Sequence, residues 1–263
     1  MQKIISWNVA SVRARADALR TFLMQEQPDL MLLQEIKATE ETFPFFDMKL
    51  AGYEAVIAGQ KGYNGVAILS RTPLKNVQTV LSGFADQARF VQAEWQDGIV
   101  VICVYVPNGN PPEKDPTDTS RLQYKLDWMR ALATHIETLK QQGKSVILGG
   151  DFNVIERDDD VYDPELFRNS ALMVQSVRQA LADLKQQIPD NVIRRFNPQP
   201  HTYSFWDFQG GAWPRNHGIL LDAVYVTPEL SQQVADASIY REVRSWPKTS
   251  DHVPVGLILN DGM

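Results

Sequence analysis

The chain has 263 residues, 44% of them hydrophobic, and a formal net charge of −6. Such a length and apolar fraction suit one large buried core and exclude a disordered chain. No apolar run approaches the about 18 residues that a membrane span needs. A sequence pI near 5.3 gives no global attraction to nucleic acid, so any such binding has to come from a local basic face or a bound metal.

Lys3 to Val9 read as a buried strand that delivers Trp7 and Asn8 to its carboxyl end, with Arg13, Arg15 and Arg20 following. From Ala14 to Gln27, the residues Ala18, Leu19, Phe22 and Leu23 recur at helical spacing until Pro28 ends the pattern. Asp29 to Ile36 is the next buried strand and ends on Gln34, Glu35 and Lys37, a βαβ-like start. Glu35 is a surface carboxylate at a strand end or a metal ligand beside Asn8, and the local pattern supports both.

Five short strands follow, 53–58, 65–70, 74–81, 89–96 and 99–106, in the pattern of an antiparallel sheet, with Asp97-Gly98 as a hairpin turn. The segment 59–68 flanks Lys61, Tyr63 and Asn64 with glycines, as a phosphate-facing loop or a plain turn would. Tyr105 is either a half-buried interface residue or a site hydroxyl. Cys103, the only cysteine, sits inside IVVICVYV and reads as a small buried hydrophobe, which fits a reducing compartment.

A polar, proline-rich loop spans 108–120, and an amphipathic helix runs from Arg121 to about Gln141. Ser145 to Leu148 form a central strand that Gly149 and Gly150 end. Asp151 and Asn153, two apart, would point the same way from extended backbone, with Phe152 turned into the packing. An acidic oxygen and an amide on one edge suit a hard cation or an activated water, although Gly-Asp-x-Asn is also ordinary turn chemistry.

The run 156–167 holds six carboxylates and reads as a solvated acidic loop. Ala171 to Gln187 is the next helix. A second set of short strands completes the chain: 201–208, 219–226 buried except at Asp222, 234–243, and 250–259. We see no linker and no repeat, so 1–263 is read as a single domain. The N-terminus carries no signal-peptide pattern, which leads us to expect a soluble, cytoplasmic protein, by default a monomer with no membrane contact.

Read together, SWN ending at Asn8, LQE ending at Glu35, QKGYNGVAI from Gln60, Tyr105 with Pro107, GDFN from Gly150, SFWDF from Ser204, Asp222, and SDHVP from Ser250 resemble a known family. It is the exodeoxyribonuclease III and apurinic/apyrimidinic endonuclease branch of the endonuclease/exonuclease/phosphatase superfamily. The resemblance implies a four-layered α/β sandwich, two mixed sheets face to face with helices outside. It further implies that Asn8, Glu35 and Asp251 hold Mg²⁺ or Mn²⁺, with Asp151 and Asn153 close enough to share it. By the same likeness Asp222 and His252 form an Asp-His pair, Tyr105 is a site tyrosine, and Asn64, Phe205, Trp206 and His252 meet the substrate. Phe205 and Trp206 match the walls of a pocket for a base-less sugar.

The implied substrate is double-stranded DNA with abasic sites or 3′ ends, hydrolysed by a metal-dependent repair nuclease acting 5′ to the abasic site, as a 3′-5′ exonuclease or as a 3′-phosphatase. The alternatives are a superfamily sibling acting on another phosphoester, such as RNA or a phosphoinositide, and a catalytically silent nucleic-acid-binding relative. Two departures stand out. Ala10 replaces the family's Asn or Asp, and Leu220 replaces an Arg two residues before the Asp that matches Asp222.

Overall fold

The computed structural model describes residues 1–96 and 98–260. β1 (Gln2–Asn8), β2 (Leu30–Gln34), β3 (Glu54–Ala58) and β4 (Val66–Ser70) begin one sheet. β5 (Lys75–Gln78), β6 (Phe90–Gln96), β7 (Ile99–Tyr105), β8 (Ser145–Asp151), β9 (Asp190–Asn191) and β10 (Asp222–Val226) make the other. β11 (Val234–Ile239) and β12 (Val255–Leu259) return to the first, giving six strands in each, ordered β11-β12-β1-β2-β4-β3 and β5-β6-β7-β8-β10-β9.

Alternating apolar residues explain the layering. Ile4, Leu30, Leu32, Val91, Cys103, Ile147, Val224 and Leu257, drawn from both sheets, pack between them. The opposite face of the first sheet, with Ile5, Trp7, Met31 and Leu33, is covered by Leu19, Phe22 and Leu23 of α1 (Ala16–Glu26), and α2 (Phe45–Leu50) adds Met48. The outer face of the second sheet, with Ile102, Val104, Val146 and Leu148, is covered by α3 (Ser120–Gln141) through Trp128, Met129 and Leu132. Beyond a short α4 (Pro164–Phe167), α5 (Gln175–Gln187) joins that layer with Val177, Leu181 and Leu184. Two one-turn helices, α6 (Val192–Phe196) and α7 (Pro228–Ser231), complete the α/β sandwich. Among the described residues no helix is long and apolar enough to cross a membrane.

β1 and β2 run parallel, as do β7 and β8, so each pair ends at the same sheet edge. Asn8 lies opposite Gln34, the residue before Glu35, while Tyr105 lies opposite Asp151 and Asp222 opposite Asp151 on its other side.

Several expectations change. The five strands from 53 to 106 divide between the two sheets, because alternation marks a half-buried strand without saying which sheet receives it. β8 continues through Gly149 and Gly150 to Asp151. Those glycines admit close neighbours, since a Cβ on Gly150 would lie 2.0 Å from the Val104 carbonyl oxygen. Residues 201–208 form no regular strand: Phe205 alone bridges Ile219 and His252. Asp222 is buried along with the rest of its strand. The helix expected from 171 begins at Gln175, and the strand expected to 243 stops at Ile239 before a 3₁₀ turn. The acidic run is largely solvated, as expected, but it is also paired, with Glu156, Asp158, Asp159 and Asp160 bonded to Lys185, Arg178, Arg157 and Arg194, and Asp160 is buried. Of the expected hairpin turn, Gly98 has φ +84° and Asp97 lies outside the described residues.

Candidate active site

The strand ends converge on a cavity of about 580 Å³ lined by Glu35, Tyr105, Asn108, Asp151, Asn153, Phe205, Asp251 and His252, among others. Asn8 joins the two sheets here: its Nδ2 donates to Glu35 Oε1 and to Asp151 Oδ2, both at 3.0 Å. The amide is itself oriented by the Ala10 N–H, which donates to Asn8 Oδ1 at 3.0 Å. Ala10 thus acts on the site through its backbone.

Glu35 also pairs with Lys37 Nζ at 2.8 Å. Burial opposes the charge of Glu35, yet the Asn8 amide and the Lys37 ammonium outweigh it and hold the carboxyl below its ordinary value. Asp151 accepts the Asn153 N–H at 2.9 Å on Oδ1, and its Oδ2 stands 3.7 Å from His252 Nε2. Burial pushes the Asp151 carboxyl up. His252 Nδ1 donates to Asp222 Oδ2 at 2.8 Å, and the same oxygen accepts the Ser204 hydroxyl at 2.6 Å. Burial alone would neutralise the imidazole, but Asp222 and then Asp151 overcome it and raise the pKa. Burial, followed by Glu35 and Asp151, likewise keeps the Tyr105 phenol protonated. The chain brings His252 into place by donating Trp7 Nε1 to the His252 carbonyl at 3.0 Å and Ser250 Oγ to the Asn8 carbonyl at 2.6 Å.

Asn153 does not follow extended backbone: its φ is +49°, an Asx turn set by Asp151. Its side chain still reaches the cavity, with Nδ2 donating to the Val106 carbonyl at 3.0 Å and Oδ1 accepting from Asn108 Nδ2 at 3.3 Å. Phe205 lines the cavity with Ile219 and Leu221. Trp206 does not; it is fully buried behind Phe205 and packs edge-on against Tyr203 and Trp213. Asn64 lies in an adjoining groove with Tyr63, Arg89, Asn108 and Arg121. Leu220 faces a small void that Asp160, Arg194 and Asp222 also line.

Asn108, Lys37 and Tyr162 belong to the site without having been singled out as site residues from sequence, whereas the sequence leaves His217, stacked on Tyr162 at 4.3 Å, open as a loop residue near the sugar pocket. Asn108 follows directly on Tyr105 and Pro107, which is the signal it offered. At the rim, Arg241 lies over the rings of Trp213 and Trp206, and Arg244 and Arg15 lie over Phe208. Among the described residues Arg15, Arg215, Arg241 and Arg244 make no carboxylate ion pair, unlike Arg157, Arg178 and Arg194. A local basic, aromatic face therefore exists on a net-acidic chain.

Asp151, Asp222 and His252 present ligand atoms within 4.8 Å of one another, and Asp222 Oδ1 is buried without a hydrogen-bond partner. His252 and Asp222 are engaged with one another, so the hard donors that fit a divalent cation are the carboxylate oxygens of Glu35, Asp151 and Asp251, which share the cavity.

The model of the Endonuclease/Exonuclease/phosphatase family matches residues 5–252. An exodeoxyribonuclease of Bacillus subtilis (strain 168) is 32% identical, over 98% of this chain and 99% of its own length. Among solved structures, an AP endonuclease from Archaeoglobus fulgidus superposes with a TM-score of 0.92 at 31% identity, covering 99% of this chain and 100% of that one. A 3′ phosphatase from Neisseria bound to a product DNA hairpin gives a TM-score of 0.92 at 30% identity, with coverage of 99% and 100%.

Proposed function

The chain belongs to the endonuclease/exonuclease/phosphatase family, and on that footing we propose that it is a DNA repair nuclease acting as one domain on abasic sites and 3′ ends. The observation that carries the reading is the single amide of Asn8 tying Glu35 to Asp151 beside a buried Asp222–His252 pair, with Glu35, Asp151 and His252 lining one cavity. Binding alone does not require so costly an assembly of buried charge.

Glu35, Asp251 and Asn8 would hold the ion, Mg²⁺ or Mn²⁺, with Asp151 and Asn153 beside them. When bound, the ion supplies charge neutralisation for the phosphoryl and leaving oxygens. The chain's own residues do the rest. Asp151, whose carboxyl burial makes more basic, accepts a proton from the attacking water. His252, kept cationic by Asp222, donates Nε2–H to a phosphoryl oxygen as charge grows there. Asn153 and Asn108 have amide hydrogens left over for the phosphate, and the protonated Tyr105 adds a hydroxyl donor. Phe205, Ile219 and Leu221 give an apolar wall for a sugar that lacks its base.

The test is cleavage of an end-labelled duplex carrying one tetrahydrofuran abasic analogue, beside an undamaged duplex with a recessed 3′ end, in Mg²⁺ and in EDTA. Metal-dependent incision at the analogue or trimming of the 3′ end is the expected result. Absence of both, with RNA or another phosphoester cleaved instead, would overturn the DNA reading.

A further inference from the structure

Lys125 lies on the buried stripe of α3 and is wholly withdrawn from solvent. Its Nζ donates to three main-chain carbonyls: Asn153 at 2.6 Å, Ala171 at 2.8 Å and Asn108 at 3.1 Å. An ammonium has three donors, so the set is complete. The three carbonyls come from three separate segments, the loops after β7 and β8 and the approach to α5. Space around the lysine is tight: a Cβ on Gly109, whose φ is +84°, would stand 2.8 Å from Lys125 Cδ.

An apolar side chain would fill this position on the stripe without the cost of burying an ammonium. What the lysine secures is backbone. Asn153 occupies the left-handed region, which asparagine enters more readily than other residues with a side chain, and hydrogen bonds on every side fix it there. Its N–H is taken by Asp151, its amide by Val106 and its carbonyl by Lys125. Asn108, hydrogen-bonded to Asn153 through its side chain, is held by the same ammonium through its own carbonyl.

The geometry points to Lys125 as the positioning residue of the reaction, a buried clamp that sets Asn153 and Asn108 in place before substrate arrives. It touches no substrate and acts through those two asparagines, in the manner of preorganised sites generally. This rests on the nuclease reading given above.

Lys125→Met is made alone and in an Asn108→Ala/Asn153→Ala background. Single-turnover incision of the tetrahydrofuran duplex, its Kd in EDTA, and the melting temperature are then measured. Lys125→Met should slow incision at least tenfold while Kd stays within threefold. In the Asn108→Ala/Asn153→Ala background Lys125→Met should change the rate no more than twofold. A loss of more than twofold in that background marks a merely structural lysine and overturns the inference. If Lys125→Met does not fold, Lys125→Gln goes through the same cycle and decides the matter on the same thresholds. Wild-type incision with an unimpaired, folded Lys125→Met variant removes the clamp and leaves the nuclease reading standing. Wild-type protein that cleaves neither DNA removes that reading, and the clamp with it.

Discussion

Asp151 receives an amide hydrogen from Asn8 and a backbone N–H from Asn153, and it faces the imidazole of His252 while all but sealed from solvent. Asp151→Asn keeps the shape and removes the basic oxygen, so single-turnover hydrolysis should fall by about 10³-fold while duplex binding is retained. Asp222→Asn leaves His252 without the carboxylate that keeps it cationic; its rate should fall about 10²-fold under the same assay. Cys103 supplies a control of a different kind. Burial pushes its thiol up to about 12, so at pH 8 roughly one molecule in 10⁴ carries the thiolate, and titration with a thiol reagent should find no reactive cysteine until the protein is unfolded. Reactivity in the native state would contradict its place between the sheets. The polar residues at strand ends were readable from sequence because apolar runs announce where a strand stops. Lys125 was not, although it shares its helical stripe with Trp128, Met129 and Leu132, because only the three carbonyls around it account for a lysine there.

The glycines of β8 separate two costs that look alike in sequence. A Cβ on Gly149 would meet Leu32 Cδ1 at 2.6 Å, the tip of a flexible side chain, whereas one on Gly150 would meet the backbone of β7. Chemical denaturation should show Gly150→Ala losing about 3 kcal/mol or more and Gly149→Ala about 1 kcal/mol. Equal losses would mean that the strands shift to absorb either methyl group. Taken as a pair, Gly149-Gly150 resembles a strand terminator, and only the neighbouring strand shows why the ladder runs on to Asp151. The stretch 201–208 misleads for the opposite reason. Its aromatics alternate as a strand's do, but each is anchored separately, Tyr203 and Trp206 toward α1's layer and Phe205 toward the cavity. What periodicity conveyed well was the number and position of the longer strands and helices. Which of two sheets received each strand depended on contacts distant in the chain.

At the scale of the molecule, a chain of net charge −6 is expected to meet DNA through a local face such as that of Arg241 and Arg244, which make no carboxylate ion pair among the described residues. Replacing Arg241 and Arg244 together by Gln should reduce the slope of log Kd against log salt by about 0.9 for each phosphate left without its guanidinium, while the rate at saturating DNA stays the same. An unchanged slope would place the DNA on another face. The site draws Asn8 and Glu35 from one sheet and Asp151 and Asp222 from the other, with His252 arriving just before β12. β1 has β2 on one edge and β12 on the other, where Gln2 lies opposite Leu259. The first strand of the fold therefore pairs with its last, a closure of high contact order. A fragment ending before Asp251 lacks Asp251, His252 and the strand that covers the free edge of β1, so it is expected not to cut DNA. The fold thus withholds the nuclease's competence until both ends of the domain exist together.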